Sequence, residues 1–241
     1  MSFSGQQNRK LTLDVAVALR RARQKRLPIV EAGDPVLRMQ TQPYNGQISG
    51  KVFRRLIDVM HTTMLEAPGV GLAAPQIGLP LAFAVVEDHI PGSPQEAAAL
   101  GSSSSLKDID IDEDMEQAGQ NDPREFGEFP FHVIINPHYE PLNDKTVSFY
   151  EGCLSLPGVE AVRKRWLDIH ATWQSEDGKT HEKDLHGWPA RIFQHETDHL
   201  SGELYIDKCE IRSLSTDDNL DEYWYDPSPE AAAEALKFSL D

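Results

Sequence analysis

Two histidines separated by four positions, His195 and His199, stand in the pattern His-Glu-x-x-His. On a helix, residues i and i+4 lie on the same face, so two imidazoles can bind one metal ion. Glu196 follows the first histidine directly and can act on water without being a ligand. A cation that acidifies water and a carboxylate that accepts its proton are what a metal hydrolase requires. The pattern therefore predicts a metal-dependent hydrolase, whose chemistry depends on a third ligand.

Three patterns could supply that third ligand. One metalloprotease pattern continues to a histidine after Gly202, but Tyr205 stands at that position. Another pattern takes a glutamate twenty or more residues downstream, where Glu222 is available. The third candidate is Cys153, in a segment rich in turn-forming residues. A thiolate with two imidazoles leaves one position for water, whereas the simpler interpretation of Cys153 is a buried, unreactive thiol.

The histidines need a helix to carry them, and residues 185–200 are predicted to form it, with Pro189 tolerated near its first turn. Apolar or alternating runs predict strands around this helix, and a hairpin turn is expected at residues 176–179. The predicted strands cover residues 81–86, 132–136, 146–150 and 166–173. Pro137 is expected to end the second of these strands.

A second helix is predicted from about Gly50 to Ala67, with Ser49 as its N-cap. Apolar residues at helical spacing give it a core face. These residues are Phe53, Leu56, Ile57, Met60 and Met64. His61 and Glu66 on the same helix are expected to face the solvent and have no assigned role.

Composition excludes several classes of protein. A chain of 241 residues is expected to form one domain with appendages, and no run approaches the roughly 18 apolar residues of a membrane helix. Residues 1–28 lack the pattern of a secretory signal. Two cysteines, Cys153 and Cys209, make no disulfide framework and favour a cytoplasmic location. A formal net charge of −16 argues against a direct nucleic-acid site.

The charge is unevenly distributed along the chain. Residues 1–28 are basic, and residues 11–25 have helical periodicity, which indicates either a targeting or ribosome-docking arm or a packing helix with a solvated basic face. Residues 88–128 are acidic and low in complexity, so they are expected to be mobile. Residues 203–207 are expected to be extended. The acidic tail is expected to form a helix at residues 231–238.

An aromatic run precedes that terminal helix. Tyr223, Trp224 and Tyr225 are expected to hold the acidic tail against the domain.

Three motifs follow one another along the chain. They are Gly69-Val-Gly-Leu-Ala-Ala-Pro-Gln76, Glu151-Gly-Cys-Leu-Ser155 and Gln194-His-Glu-Thr-Asp-His-Leu-Ser-Gly202. Together they resemble the three signature motifs of the peptide deformylase family, over roughly residues 29–87 and 129–208. The basic amino-terminal helix and the acidic tail resemble those of deformylases from high-GC Gram-positive bacteria.

This resemblance implies an α+β fold in which antiparallel sheets pack around a central metal-binding helix. The catalytic domain would cover residues 29–208, with an acidic insertion at about 88–128. Residues 1–28 would form a basic helical extension, and residues 209–241 an acidic tail packed on the domain.

The family removes formate from the formylmethionine of nascent polypeptides, so the resemblance implies the same reaction here. Its metal ligands map to Cys153, His195 and His199, which would bind one ferrous ion per chain, replaceable by zinc, nickel or cobalt. The implied partners are nascent formyl-Met chains and, transiently, the ribosome, with no membrane contact.

Catalytic roles follow from the same resemblance. Glu196 would be the general base, while the Gln76 side chain and the Leu154 backbone N–H would donate to the oxyanion. The remaining candidates for substrate binding are Gly69, Val70, Gly71, Glu151, Gly152 and Ile192.

Within that set, Gly71 would let the peptide lie against the strand, and Val70 and Ile192 would line the methionine pocket. A structural salt bridge with Arg165 is the favoured role for Glu151.

Two further side chains and two rival functions complete the expectations. Arg191 departs from an aliphatic position of the family and is expected at the pocket rim, and Asp198 is expected to orient a ligand or the helix. The rivals are an endopeptidase that uses Glu222 as third ligand and a binding protein whose metal is structural.

Overall fold

The computed structural model describes residues 3–22, 26–67, 69–89 and 122–240. Its helices are α1 (Phe3–Arg21), α2 (Gly50–Glu66), α3 (Gly187–Leu200), α4 (Asp217–Tyr223) and α5 (Glu230–Leu236). Its strands are β1 (Gln42–Pro43), β2 (Gly71–Ala73), β3 (Leu81–Asp88), β4 (Phe129–Pro141), β5 (Thr146–Cys153), β6 (Leu156–Trp166), β7 (Asp168–Gln174), β8 (Thr180–His186) and β9 (Ser215–Thr216). Short 3₁₀ helices form at Pro35–Arg38, Ala74–Ile77, Tyr205–Lys208 and Ile211–Ser213.

The strands form two sheets. The larger has the order β1-β3-β4-β7-β8, with β2 also paired to β3, and the smaller has the order β5-β6-β9. Every pairing is antiparallel except that of β1 with β3. The α3 helix contacts strands of both sheets, including β3 and β6. The predicted α+β class is confirmed.

Strand β4 does not end at Pro137, contrary to the prediction. Asn136 has a φ of 49°, and the pairing of β4 with β7 shifts register between Ile135 and His138. Pro137 therefore lies at a bulge, where its lack of an N–H removes no bond from the ladder. The strand continues beyond it to Pro141.

Strand β6 was not predicted, because its sequence is rich in charge around Arg163 and Arg165. Both arginines are nonetheless buried, since acidic partners meet them inside the protein. The predicted strand at 166–173 corresponds to β7. The turn at 176–179 is confirmed, with Gly178 at a φ of 81°.

Helices α1 and α2 pack on the same core. Val15 of α1 is fully buried in a cluster with Phe53 of α2, which favours the packing interpretation of the amino-terminal helix. Ser49 precedes α2 without a side-chain capping bond. Glu66 is exposed as predicted, whereas His61 is half-buried because it hydrogen-bonds with Glu87 and packs on Phe131.

The carboxyl-terminal segment differs from its prediction in two places. Residues Tyr205–Lys208 form a 3₁₀ helix rather than an extended stretch. Tyr223 and Tyr225 are 59% and 88% exposed, so they do not hold the tail, whereas Trp224 is half-buried. The predicted terminal helix is confirmed as α5, and its buried Ala232 packs against the domain.

Most of the predicted acidic insertion lies outside the described residues. Its last part is packed on the domain: the Trp188 N–H donates to the Glu125 carbonyl at 3.3 Å. The Arg124 guanidinium lies 4.7 Å from the Phe126 ring centroid and 5.6 Å from that of Trp188. Residues 122–128 therefore contribute to the folded domain. No helix in the described part of the chain is long and apolar enough to cross a membrane.

Candidate metal centre

The α3 helix brings the two histidines together. Their ring centroids lie 5.0 Å apart, as expected for positions i and i+4 on one helical face. Cys153 is the last residue of β5, and its Sγ lies 3.4 Å from Nε2 of His199. One potential ligand atom from each of Cys153, His195 and His199 lies within 4.8 Å of the other two. The structure therefore brings together the three residues predicted to bind metal.

The side chains around these three fit a metal ion. Nδ1 of His195 donates to Oε2 of Glu151 at 3.0 Å, which leaves Nε2 as the free ligand atom of that ring. Oε2 of Glu196 is buried and has no hydrogen-bond partner among the described residues. A thiolate with two imidazoles is a donor set that suits a divalent transition-metal ion.

A buried ion-pair network lies behind the centre. Glu151 accepts from Arg165 Nε at 2.5 Å and from Arg191 Nη1 at 2.5 Å. Burial alone would raise the pKa of Glu151, but Arg165, His195 and Arg191 hold that pKa well below its usual range. Glu151 is therefore a fixed negative charge that orients His195. The expected salt bridge with Arg165 is present, and Glu151 also lines the cleft, where its role in substrate binding stays a prediction.

Asp198 extends this network to β4. It accepts from Arg165 Nη1 at 2.8 Å, from Arg163 Nη2 at 3.1 Å and from the Tyr139 hydroxyl at 2.9 Å. Asp198 precedes the ligand His199 directly, so these bonds fix the rotation of the helix about its axis. The predicted orienting role of Asp198 agrees with these contacts.

Arg191 lines the cleft, as expected, but its side chain is almost fully buried. Beyond Glu151, its guanidinium donates to the carbonyl oxygens of Arg163 at 2.9 Å and Val147 at 2.7 Å. It also lies 5.2 Å from the Phe149 ring centroid. Burial lowers the pKa of Arg191 to about 10 against the raising effect of Glu151, so the side chain stays charged at neutral pH.

Glu196 and Gly71 are in direct contact. A Cβ atom at position 71 would lie 2.2 Å from Oε1 of Glu196, so only glycine leaves room for this carboxylate. The sequence had indicated that Gly71 makes room for the peptide, and the structure shows that it makes room for Glu196. Burial raises the pKa of Glu196 to about 7, although His195 and Arg165 oppose the shift.

The Gln76 side chain is fixed at both ends. Its Oε1 accepts from the Ala73 backbone N–H at 2.7 Å, and its Nε2 lies 3.5 Å from Cys153 Sγ. The amide nitrogen therefore faces the centre. Gln76 itself is 1% exposed.

A cleft of about 880 Å³ opens onto the metal centre. The predicted residues on its wall are Gly69, Val70, Gly71, Gln76, Glu151, Gly152, Cys153, Leu154, Ile192, His195 and Glu196. Sequence reasoning missed the aromatic side chains of Phe149 and Trp188 and the wall formed by residues 217–227. Trp188 lies in the first turn of the metal helix, so its position could have indicated that it lines the site. No motif pointed to residues 217–227.

Comparisons with known proteins agree with this geometry. Residues 26–214 match the family model described as polypeptide deformylase. Peptide deformylase 1 of Bifidobacterium longum is 63% identical over 219 residues, which are 90% of this chain and 89% of that protein. Peptide deformylase 1 of Streptomyces coelicolor is 42% identical over 214 residues, which are 89% of this chain and 87% of that protein. The likeness to deformylases of high-GC Gram-positive bacteria is confirmed.

A solved structure of similar fold is the class I type b peptide deformylase from Acinetobacter baumannii with Met-Ala-Ser bound. It is 27% identical, with a TM-score of 0.58, and the match covers 76% of this chain and 97% of that one. A family match that spans most of the chain, and the convergence of all three signature motifs on one centre, lead to one conclusion. The chain belongs to the polypeptide deformylase family and is a metal-dependent hydrolase that removes the N-formyl group from nascent polypeptides.

Proposed function

We propose that one ferrous ion per chain is bound by Cys153, His195 and His199, and that zinc, nickel or cobalt can replace it. This proposal is supported by one observation: a thiol and two imidazoles have ligand atoms within 4.8 Å of one another, beside the unpaired Oε2 of Glu196. When bound, the ion supplies Lewis acidity, which lowers the pKa of water and polarises the formyl carbonyl.

Glu196 acts as the general base. It follows the ligand His195 directly, and its buried Oε2 is free to accept a proton. We assign to this carboxylate the removal of a proton from the attacking water and its delivery to the leaving amine, which conserves protons over the cycle. The same carboxylate can take this position because Gly71 has no side chain and leaves room for Oε1.

Two donors stabilise the negative charge that develops on the formyl oxygen. Gln76 is pre-oriented, because the Ala73 N–H holds its Oε1 and turns its amide nitrogen toward the centre. The Leu154 backbone N–H follows the ligand Cys153 and lines the same cleft. Loss of one such donor typically lowers kcat by roughly a hundredfold or more.

The substrate backbone extends the sheet at β2. This strand pairs with β3 along one edge, and Gly69, Val70 and Gly71 line the cleft near its other edge. An added strand there would place its first side chain between Val70, Ile192 and Trp188. The Acinetobacter baumannii deformylase binds Met-Ala-Ser, and we extend that peptide mode to this chain. Gly152 lines the same cleft and is assigned to the substrate path as well.

The reaction is assigned to the cytoplasm, because its substrate is the chain leaving the ribosome. Contact with the ribosome is transient and passes through the nascent peptide, with no direct nucleic-acid site. This agrees with the net charge of −16, which repels phosphate backbones. We further propose that residues 29–208 form the catalytic domain, with an insertion at about 88–128. Residues 1–28 and 209–241 are its extensions.

The test is a comparison of the wild type with Glu196→Gln after anaerobic loading with ferrous iron. We expect both proteins to hold about one ion per chain and only the wild type to release formate from formyl-Met-Ala-Ser. The variant should lose at least a hundredfold in kcat, as expected for a general base. Loss of metal from the variant would instead identify Glu196 as a ligand.

Two rival functions give other results in the same assay. A protein with a purely structural metal would release no formate in either form. An endopeptidase would cleave internal peptide bonds of the substrate, which mass spectrometry of the products distinguishes from loss of the formyl group.

A further inference from the structure

The two proposed oxyanion donors come from separate parts of the fold. Gln76 lies in the 3₁₀ helix Ala74–Ile77, which follows β2 of the larger sheet. Leu154 lies with Ser155 in the two-residue turn that joins β5 to β6 of the smaller sheet. Two donors stabilise one developing charge only if the distance between them is held fixed. The fold therefore needs a connection between this 3₁₀ helix and this turn.

Residues 30–32 form a bridging segment between the two. The Val30 N–H donates to the Gln76 carbonyl at 2.8 Å, and the Ala32 N–H donates to the Ser155 carbonyl at 2.8 Å. Both acceptor residues are fully buried. Because a single residue separates the two N–H groups, the segment leaves little freedom in the distance between the two carbonyls.

The chain is anchored on both sides of the bridging segment. Upstream, Leu27 is buried and its N–H donates to the Thr63 hydroxyl of α2 at 2.9 Å. Downstream, the Asp34 N–H donates to the Glu31 carbonyl at 3.1 Å in a turn, and Leu37 is fully buried. The bridging segment is therefore held in place independently of the two elements that it connects.

The Leu154 side chain is fixed by a second contact. A Cβ atom at Gly69 would lie 2.8 Å from Cδ1 and 3.3 Å from Cγ of Leu154, so this side chain occupies the space beside the glycine. It also packs against the core cluster that contains Phe53. This packing and the bond to the Ser155 carbonyl together fix the turn that carries the Leu154 N–H.

We propose that Val30 and Ala32 are positioning residues for deformylation, because their N–H groups set the spacing between Gln76 and the Leu154 N–H. The proposal rests on the proposed function, in which these two donors stabilise the oxyanion. A shift of either donor weakens its interaction with the charge that develops in the transition state. Binding of the uncharged formyl group in the ground state depends less on that spacing. The effect should therefore appear in kcat and not in KM.

Ala32→Pro tests the bond to the Ser155 carbonyl. Proline has no N–H, and Ala32 is exposed, so the change leaves the core intact. Ala32 is the second residue of the turn formed by residues 31–34, whose third residue, Gly33, has a φ of 109°. Proline is favoured at that position of such a turn, so the variant should fold. We expect kcat to fall by roughly ten- to a hundredfold, with KM, metal content and urea midpoint unchanged.

Glu31→Pro is the matched control. In the described part of the chain the Glu31 N–H forms no hydrogen bond, so proline at this position removes none. We expect this variant to keep the kcat of the wild type. Equal losses from Glu31→Pro and Ala32→Pro would show that chain stiffness, and not the missing bond, lowers the rate, which would overturn the proposal. Full kcat in Ala32→Pro, or a fall that comes with loss of metal, would also overturn it.

Val30→Pro tests the other bond, in combination with Gln76→Ala. Alone, Val30→Pro should lower kcat as Ala32→Pro does. In the Gln76→Ala background it should cost nothing further, because the donor that Val30 positions is already absent. General damage to the fold would instead add to the loss from Gln76→Ala, and an additive result would overturn the proposal.

Gln76→Ala alone tests the proposed function separately. Loss of an oxyanion donor should lower kcat by roughly a hundredfold or more. If Gln76→Ala shows this loss and Ala32→Pro shows none, the donor assignment stands and the role of the bridging segment fails. If Gln76→Ala keeps full kcat, the donor assignment fails, and the positioning role of Val30 and Ala32 fails with it.

Discussion

The carboxylate of Glu196 fills the space that a side chain at Gly71 would occupy. The Cβ of any other residue would lie 2.2 Å from Oε1, 2.5 Å from Cδ and 2.7 Å from Cγ of Glu196. These atoms belong to a fully packed helix residue that is 4% exposed, so the glutamate cannot move aside easily. The first signature motif therefore contributes to the chemistry by fixing the base of the third.

The variant Gly71→Ala should retain its metal and lose activity. A displaced Glu196 no longer points at the reacting water, and a misplacement of about 1 Å can cost roughly a hundredfold in rate. Formate release and metal content measured on the same sample check this. Gly50→Ala is the control, because a Cβ at position 50 meets nothing within 4 Å. Full activity of Gly71→Ala would show that Glu196 can relocate without loss.

Cys153 and Glu222 are the two alternative third ligands of the metal, and their variants should differ in metal content. Glu222 is exposed on α4, whereas Cys153 Sγ lies 3.4 Å from His199 Nε2. Cys153→Ala should therefore lose most of its bound metal after dialysis, and Glu222→Ala should retain about one ion per chain. Elemental analysis of both variants decides between them. Retention by Cys153→Ala together with loss from Glu222→Ala would return the site to the endopeptidase pattern.

Arg165 should contribute strongly to stability, and its neighbour Lys164 should not. Arg165 is buried between Glu151 and Asp198, and its removal leaves two buried carboxylates short of a partner. Loss of one partner of a buried pair costs about 3–5 kcal/mol. Urea unfolding of Arg165→Met against Lys164→Met measures this, since Lys164 is exposed on the same strand. Similar unfolding free energies for the two variants would contradict the expectation.

The ion pairs of His186 should make stability depend on pH. Its Nδ1 lies 2.5 Å from Asp168 and its Nε2 lies 2.5 Å from Glu125, and these hydrogen bonds raise its pKa. A raised pKa in the folded state stabilises the protein fully below the unfolded value of about 6.5. That contribution is lost as the pH rises through the folded value.

The variant His186→Gln should therefore be less stable than the wild type at pH 5.5, by up to about 1 kcal/mol for such exposed pairs. The difference should shrink toward pH 9. Urea midpoints at several pH values measure it, and Glu125→Gln should weaken the same pH dependence. A difference between wild type and variant that grows with pH would refute the assignment.

The residues that carry chemistry were predictable because their types and spacing leave few alternatives. Two histidines on one helical turn beside a glutamate indicate metal hydrolysis, and the surrounding motifs led to Cys153. Strand β3 was equally accessible, since an apolar run predicts a buried strand. These features depend on local sequence.

The errors arose where distant partners decide the outcome. The burial of Arg191 was not predicted, because nothing in the local sequence shows that Glu151 and two carbonyl groups meet its guanidinium inside the protein. His61 was assigned to the solvent for the same reason, as Glu87 and Phe131 are far from it in sequence. The place of α4 beside the cleft depends on the pairing of β9 with β6. Strand β9 has only two residues, which is too short for a sequence pattern to predict.

The hydrogen bonds of Asp198 determine how readily α3 can separate from the two sheets. This residue of α3 is bonded to Tyr139 on β4 and to Arg163 and Arg165 on β6, so α3 cannot separate from either sheet without exposing a buried charge. The backbone amides of α3 should therefore exchange with deuterium only through global unfolding. Helix α4 has no buried residue, and its amides should exchange through local fraying. We therefore expect the side of the cleft that holds the metal centre to open only with the whole protein, and the side formed by α4 to open locally.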